Sequence, residues 1–154
     1  SRLAHENGRK LVDVRRPPES LPVGSGAVMK TDAYVMLTVG SDCSVGKMTA
    51  TLEILRSAKA ENKKAAFVAT GQTGIMICGK GIAVDRVIGD FMSGAVEKMI
   101  LEETADSDYI FVEGQGSIVH PSFSGVTIAL MHGAYPQGLI LCHKARRKQI
   151  KGLE

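Results

Sequence analysis

An α/β fold, with a mostly parallel sheet and helices on both faces, follows from three features of the 154-residue sequence. Four short apolar runs are continuous rather than alternating, as expected of strands buried on both faces. Segments with helical spacing lie between them, giving the order strand, helix, strand, helix, strand, helix, strand. Glycine-rich loops at 40–46, 71–81 and 114–117 each follow an apolar run. Right-handed crossovers would then place helices on both faces, and ligands would bind beyond the carboxyl ends of the strands, where these loops converge.

Residues 1–32 read as a linker. The stretch "RRPPESLPVGSGAV" combines Pro-Pro, a further Pro and Gly-Ser-Gly, so regular structure is not expected there. The apolar runs are "YVMLTV" (34–39), "AAFVAT" (65–70), "YIFVE" (109–113) and "LILCH" (139–143). Between the first two, Met48, Leu52 and Leu55 recur at helical spacing within 47–62. The clearest pattern is Val84, Val87, Ile88, Phe91, Met92, Ala95, Val96, Met99 and Ile100. It predicts an amphipathic helix of about five turns, with Asp85, Arg86, Asp90, Glu97 and Lys98 on its polar face. A shorter helix is expected over about 124–132. The domain is therefore placed at 33–144 and a basic tail at 145–154.

Hydrophobic residues make up 44% of the chain and charged residues 23%, an ordinary globular balance. With no Trp and few other aromatics, the core must be aliphatic. A chain of this length buries about 70% of its unfolded surface and needs no disulfide or metal staple. The net charge of +3 is mild. The run "HKARRKQIK" (143–151) reads as a solvated end rather than a nucleic-acid surface, although it could help attract phosphorylated ligands. Cys43, Cys78 and Cys142 are odd in number and widely spaced, which fits reduced thiols in a cytoplasmic protein. No signal peptide and no apolar run of about 18 residues is present, so no membrane partner is expected.

The stretch "VMLTVGSDCSVGKMTATLEIL" (35–55) carries the chemistry. Glycines let a loop curl so that successive N–H groups face a phosphate, and the following helix adds its positive end. A lysine reaches the terminal phosphates, and a hydroxyl holds Mg²⁺. Gly40, Gly46 and Lys47 supply the glycines and the cation, with Ser41, Asp42, Cys43, Ser44 and Val45 between them. Two details depart from the standard loop. Five residues rather than four separate the glycines, and Met48 follows the lysine, so the hydroxyl of Thr49 comes one residue late. The expected architecture is a three-layer sandwich like that of P-loop NTPases, short of a full set of strands.

Other candidates fall on the same edge. Glu113 ends the third apolar run, where a carboxylate could hold Mg²⁺ or be an ordinary strand-end acid. Gly114 to Ser117 could approach a ligand or form a plain turn, and 70–81 could bind an acceptor or be a mobile surface loop. Asp90 could join the metal or be a solvated helix carboxylate. Asp42 could touch metal, orient a substrate amine or cap loop N–H groups. His120 could act as a general base or be structural. Cys43, at a helix amino end, reads as a thiol of lowered pKa or as a small loop filler. No Cys/His spacing resembles a zinc site.

Gly40, Asp42, Val45, Gly46 and Lys47 match the Gly-x-Asp-x-x-Val-Gly-Lys loop of dethiobiotin synthetase and its relatives, where the longer spacing is normal. "VEGQGS" (112–117) resembles a second segment of those enzymes, which implies a metal role for Glu113. Over nearly the whole chain, "DVRRPPESLP", "VGSDCSVGKMT", "ATGQTGI" and "VEGQGSIVHPSFSGVT" resemble a bacterial and archaeal family that includes D-glutamate N-acetyltransferase-like proteins. In that family Gly-Lys-Met-Thr is the usual form, and members are roughly twice this length, with an amino-terminal Rossmann-like domain before the P-loop domain. That resemblance implies such a preceding domain here.

The first functional expectation is a Mg²⁺-dependent ATP or GTP site that activates a small carboxylate or amino acid, with Lys47 catalytic and Thr49, Glu113 and Asp90 at the metal. The second is acetyl transfer from acetyl-CoA to D-glutamate or a related amino acid. The third is a nucleotide-binding regulatory fragment without turnover. A homo-oligomer is also possible.

Overall fold

The computed structural model describes residues 2–153. Four parallel strands form one sheet in the order β2-β3-β1-β4. They are β1 (Tyr34–Gly40), β2 (Ala65–Val68), β3 (Tyr109–Val112) and β4 (Gly138–Cys142). The helices are α1 (Arg2–Glu6), α2 (Lys47–Ala60), α3 (Gln72–Cys78), α4 (Gly89–Glu103) and α5 (Ser124–Ala134).

Alternation along the strands sorts side chains into two layers. Val35 and Leu37 of β1, Val68 of β2, and Ile110 and Val112 of β3 join Ala95, Val96, Met99 and Ile100 of α4 and Leu130 and Ala134 of α5 in the main core. Phe67, on the other face, packs with Leu52 and Leu55 of α2. The result is helix, sheet, helix. A fully buried Val, Leu or Ile contributes about 2 kcal/mol, whereas helix propensities differ by a few tenths per residue. Burial on the sheet therefore sets where α2, α4 and α5 sit.

The register aligns the strand ends. Leu37 lies opposite Val112, Val112 opposite Val68, and Gly40 opposite Cys142. The segments that follow all four strands therefore leave from one edge.

Several expectations are corrected. The predicted 84–100 helix is a 3₁₀ turn at Val84–Arg86 followed by α4, and Ile88 between them is extended and exposed. Val84 and Val87 are still buried, so the apolar spacing was real but not all helical. Glu97 does not face solvent. It is buried and accepts from Ser25 N (2.9 Å) and Ser25 Oγ (2.7 Å). Burial pushes its carboxyl up, but the Ser25 hydroxyl and the N–H groups of Ser25, Ala27 and Gly26 outweigh this and hold it below the usual range.

That anchor also orders the linker. Within 1–32 there are α1 and a 3₁₀ turn at Ala27–Lys30, Val28 is in the main core, and Arg15 pairs with Asp85 at 2.5 Å. The 71–81 segment contains α3 rather than an open loop. β4 is not covered on both sides: Leu139 and Leu141 are exposed on this edge strand. No helix among the described residues is long and apolar enough to cross a membrane.

Candidate functional site

The chain leaves β1 at Gly40 and curls before α2. Ser44 has φ +54° and Gly46 φ +99°, a left-handed conformation that glycine takes at little cost. This turn leaves a row of donors. Among the described residues, nothing accepts from the N–H groups of Ser44 through Thr49; the first helical bond is Ala50 N to Gly46 O, at 2.9 Å. Such groups at a helix start, with the helix dipole behind them, favour an anion.

Lys47 is buried and folds back over the curl, its Nζ donating to Asp42 O at 3.0 Å. Burial lowers its pKa, partly opposed by Cys43, Cys142 and Asp42. A Cβ on Gly40 would lie 2.8 Å from Lys47 Nζ, so a bare glycine is what lets the lysine cross. A cleft of about 300 Å³ opens here, lined by Ser44 to Thr49 and by Gly114 to Gly116. The side chain of Thr49 is exposed in it with no protein partner among the described residues.

A chain of hydroxyls fixes the second wall. Thr51 Oγ1 donates to Lys47 O (2.8 Å) and lies 2.9 Å from Thr38 Oγ1, which accepts from Gly114 N (2.8 Å). Gln115 Nε2 donates to Thr70 O, and Thr127 Oγ1 donates to Gln115 O at 2.7 Å. The 114–116 segment is thus tied to β1, α2, α5 and the end of β2.

The basic tail crosses the loop. Arg147 Nη1 donates to Asp42 Oδ2 and to Cys43 O, both at 2.6 Å. Lys151 donates through its N–H to Asp42 Oδ2 (2.8 Å) and through Nζ to Ser44 Oγ (2.7 Å). His120 Nδ1 accepts from Ser122 N (3.2 Å), which places the ring proton on Nε2, and Nε2 donates to Lys151 O (2.9 Å). The ring also packs on Phe123, 4.6 Å between centroids. The reading of 143–151 as a solvated end is therefore corrected for Arg147 and Lys151.

Among the described residues, the expected metal donors share no hydrogen bond with one another. Glu113 is buried and turns toward the end of β2, its Oε2 accepting from Thr70 N and Gly71 N, both at 3.0 Å. Burial pushes its pKa up despite those bonds. Asp90 is exposed in the first turn of α4 and has no hydrogen bond to the loop or to Glu113. The Asp42 carboxylate is taken up by Arg147, Lys151 N and Cys43 N. Among the described residues, the side-chain oxygens at the cleft without a protein partner are Thr49 Oγ1 and Gln115 Oε1, both uncharged, which does not fit a built Mg²⁺ site.

The fold does bring Asp42, Cys43 and His120 together, with ligand atoms within 4.8 Å of one another, a grouping that sequence spacing hid. Asp42 and His120 are already engaged, however. Burial pushes the Cys43 thiol up, although Lys47 opposes this, so the lowered thiol pKa expected at a helix amino end is not found.

Residues 22–154 match the family described as "Domain of unknown function (DUF1611_C) P-loop domain". The chain belongs to the DUF1611 family. A DUF1611 family protein from Anabaena variabilis has a crystal structure that superposes with TM-score 0.91 at 40% identity, covering 95% of this chain and 42% of that one. Two relatives are named D-glutamate N-acetyltransferase. One, from a Pseudoalteromonas species, is 41% identical over 151 residues, 98% of this chain and 45% of its own. The other, from Tritonibacter scottomollicae, is 45% identical over 151 residues, 98% of this chain and 44% of its own. The chain thus spans less than half the length of these curated relatives. Cell division protein ftsY from Thermotoga maritima shares the fold alone, at 14% identity and TM-score 0.50, over 84% of this chain and 48% of its own.

Within this DUF1611 domain the tail contact has a pH signature. Burial raises the Asp42 pKa, but Arg147 and the N–H groups of Lys151 and Cys43 bring it down to about 2. Its folded value lies below the unfolded value of about 3.9, so the stabilisation is complete above about pH 4 and is lost as pH falls through 2. Acid unfolding followed by circular dichroism should fall more steeply across that window for the parent chain than for Asp42→Asn. Equal slopes would count against the Asp42–Arg147 contact.

Proposed function

We propose that this chain is the phosphate-binding part of an N-acetyltransferase for D-glutamate or a related amino acid, and that its loop holds the diphosphate of acetyl-CoA. The observation that carries the reading is the row of N–H groups from Ser44 to Thr49, unclaimed among the described residues, in the loop to which Lys47 Nζ folds back at Asp42 O. Gly40, Ser41, Asp42, Cys43, Val45, Gly46 and Met48 shape that loop. Lys47, Arg147 and Lys151 supply positive charge around it without a metal. The names of the two relatives support the acetyl donor and the acceptor class.

In the transfer, the acceptor amine nitrogen bonds to the acetyl carbonyl carbon, the carbon–sulfur bond breaks, and the coenzyme leaves as its thiol after the amine gives up a proton. His120 is assigned that proton transfer, and it would have to release Ser122 N–H from Nδ1 to act as the base.

A second reading keeps Mg-ATP or Mg-GTP at the same loop, favoured by the free Thr49 hydroxyl in the cleft. It requires Glu113, and Asp90 if used, to turn toward that hydroxyl. Isothermal titration of the chain with coenzyme A, Mg-ATP and Mg-GTP separates the two. Coenzyme A is expected to bind at least tenfold more tightly than either nucleotide. Tighter binding of a Mg-nucleotide would overturn the acetyltransferase reading.

A further inference from the structure

The loop has a second flank. Sharing no lining residue with the Lys47 cleft, a pocket of about 190 Å³ lies between the loop and the segment that follows β4. Ser41, His143, Lys144, Arg147 and Lys148 line it, with Asp42 as the one acidic residue in the lining among the described residues. Asp42 does not make the pocket acidic, because Arg147 Nη1 and Lys151 N cover its carboxylate. Ser41 Oγ lies 2.8 Å from His143 Nδ1 and fixes that wall, and the two bonds from Arg147 Nη1 fix the guanidinium. Lys144 and Lys148 are exposed, and their side chains have no hydrogen-bond or ion-pair partner among the described residues. Cations therefore exceed anions here, and two of them are free.

The pocket is smaller than the roughly 300 Å³ that usually holds a whole small-molecule ligand, so it suits one charged group of a larger molecule. Its wall at Ser41 and Asp42 and the cleft wall at Ser44 belong to one loop. Asp42 and Ser44 are two residues apart, at most about 7 Å along the chain. A ligand whose second phosphate stands apart from its diphosphate can reach both pockets at once. A nucleoside triphosphate has one contiguous row. Coenzyme A has a diphosphate on the ribose 5′ carbon and a separate monophosphate on the 3′ oxygen.

We infer that the pocket lined by Ser41, His143, Lys144, Arg147 and Lys148 is a subsite for the ribose 3′-phosphate of the coenzyme, while the Lys47 cleft takes the diphosphate. This rests on the acetyl-CoA reading above and adds to it a reason for choosing that coenzyme over its dephosphorylated form. Lys144 and Lys148 supply mobile charge, and Arg147, already held by the loop, supplies a fixed donor.

The test is titration of the chain with coenzyme A and with dephospho-coenzyme A, which differ only in that phosphate. The intact coenzyme should bind about tenfold more tightly, and the ratio should fall to about one in Lys144→Ala/Lys148→Ala. These exposed side chains make no hydrogen bond or ion pair among the described residues, so folding should survive. Lys59→Ala/Lys63→Ala, which removes the same charge at the far end of α2, should keep the parental ratio. Equal binding of the two forms by the parent, or an unchanged ratio in Lys144→Ala/Lys148→Ala, overturns the subsite and leaves the loop reading standing. Binding of neither form overturns the coenzyme reading and this inference with it.

Discussion

Lys47→Ala is expected to weaken phosphate-ligand binding about a hundredfold or more while leaving the fold intact. The ammonium is buried and, among the described residues, has one protein acceptor, Asp42 O at 3.0 Å. A hydrogen bond from a charged group contributes about 1.5–3 kcal/mol, so two such bonds to phosphate oxygens account for roughly 3 kcal/mol or more, or about a hundredfold in affinity. The loss of stability should be small, because the substitution also removes a desolvated charge. Lys47→Arg should not rescue binding, since the guanidinium is wider and Lys47 Nζ already lies only 2.8 Å from where a Cβ on Gly40 would stand. Titration calorimetry beside a thermal melt separates loss of affinity from loss of fold. Parental affinity in a folded Lys47→Ala protein would remove the lysine from the site.

Gly114→Ala is expected to damage the fold itself. Its added Cβ would lie 1.6 Å from Thr38 O, a backbone atom of the central strand, and 3.1 Å from Lys47 Cδ. A backbone oxygen cannot swing aside, so β1 and the 114–116 segment must separate. That movement would break the Gly114 N to Thr38 Oγ1 bond and loosen the Thr51 contact behind the loop. The cost should be about 3 kcal/mol, near the top of the range for overpacking. For a chain of this size that corresponds to a fall in Tm of roughly 6–12 °C. Gly125→Ala is the control. It lies in the first turn of α5 with open space around the added carbon, and the helix should gain or lose less than about 1 kcal/mol. A parental Tm for Gly114→Ala would mean that the close approach of these two segments is wrong.

β1, β2 and β3 were legible because burial on both faces leaves an unbroken apolar run, and the phosphate loop because curling needs glycine at fixed places. Legibility failed where long-range partners decide the outcome. Glu97 carries the same signal as any polar-face carboxylate, and only its bonds to Ser25, 72 residues away, make it an internal anchor. Arg147 reads as one charge in a basic run until the fold sets it against Asp42, 105 residues earlier. Thr38 and Thr51 look like ordinary strand and helix residues, although their hydroxyls join the two walls of the cleft. The one available hint was polarity: Thr38 is a hydroxyl in an otherwise apolar strand, and a buried hydroxyl needs a partner. Spacing gave Ile88 a place in a helix, but Val84 reaches the core from a 3₁₀ turn and Val87 from the extended residue that follows it.

The most direct test follows the loop amides themselves. In an ¹⁵N-labelled sample titrated with coenzyme A, the largest chemical-shift changes should fall on the N–H groups of Ser44 through Thr49, and Lys47→Ala should abolish them. Binding that leaves those six amides unmoved and perturbs another surface would contradict the central claim that the curl before α2 grips the phosphate.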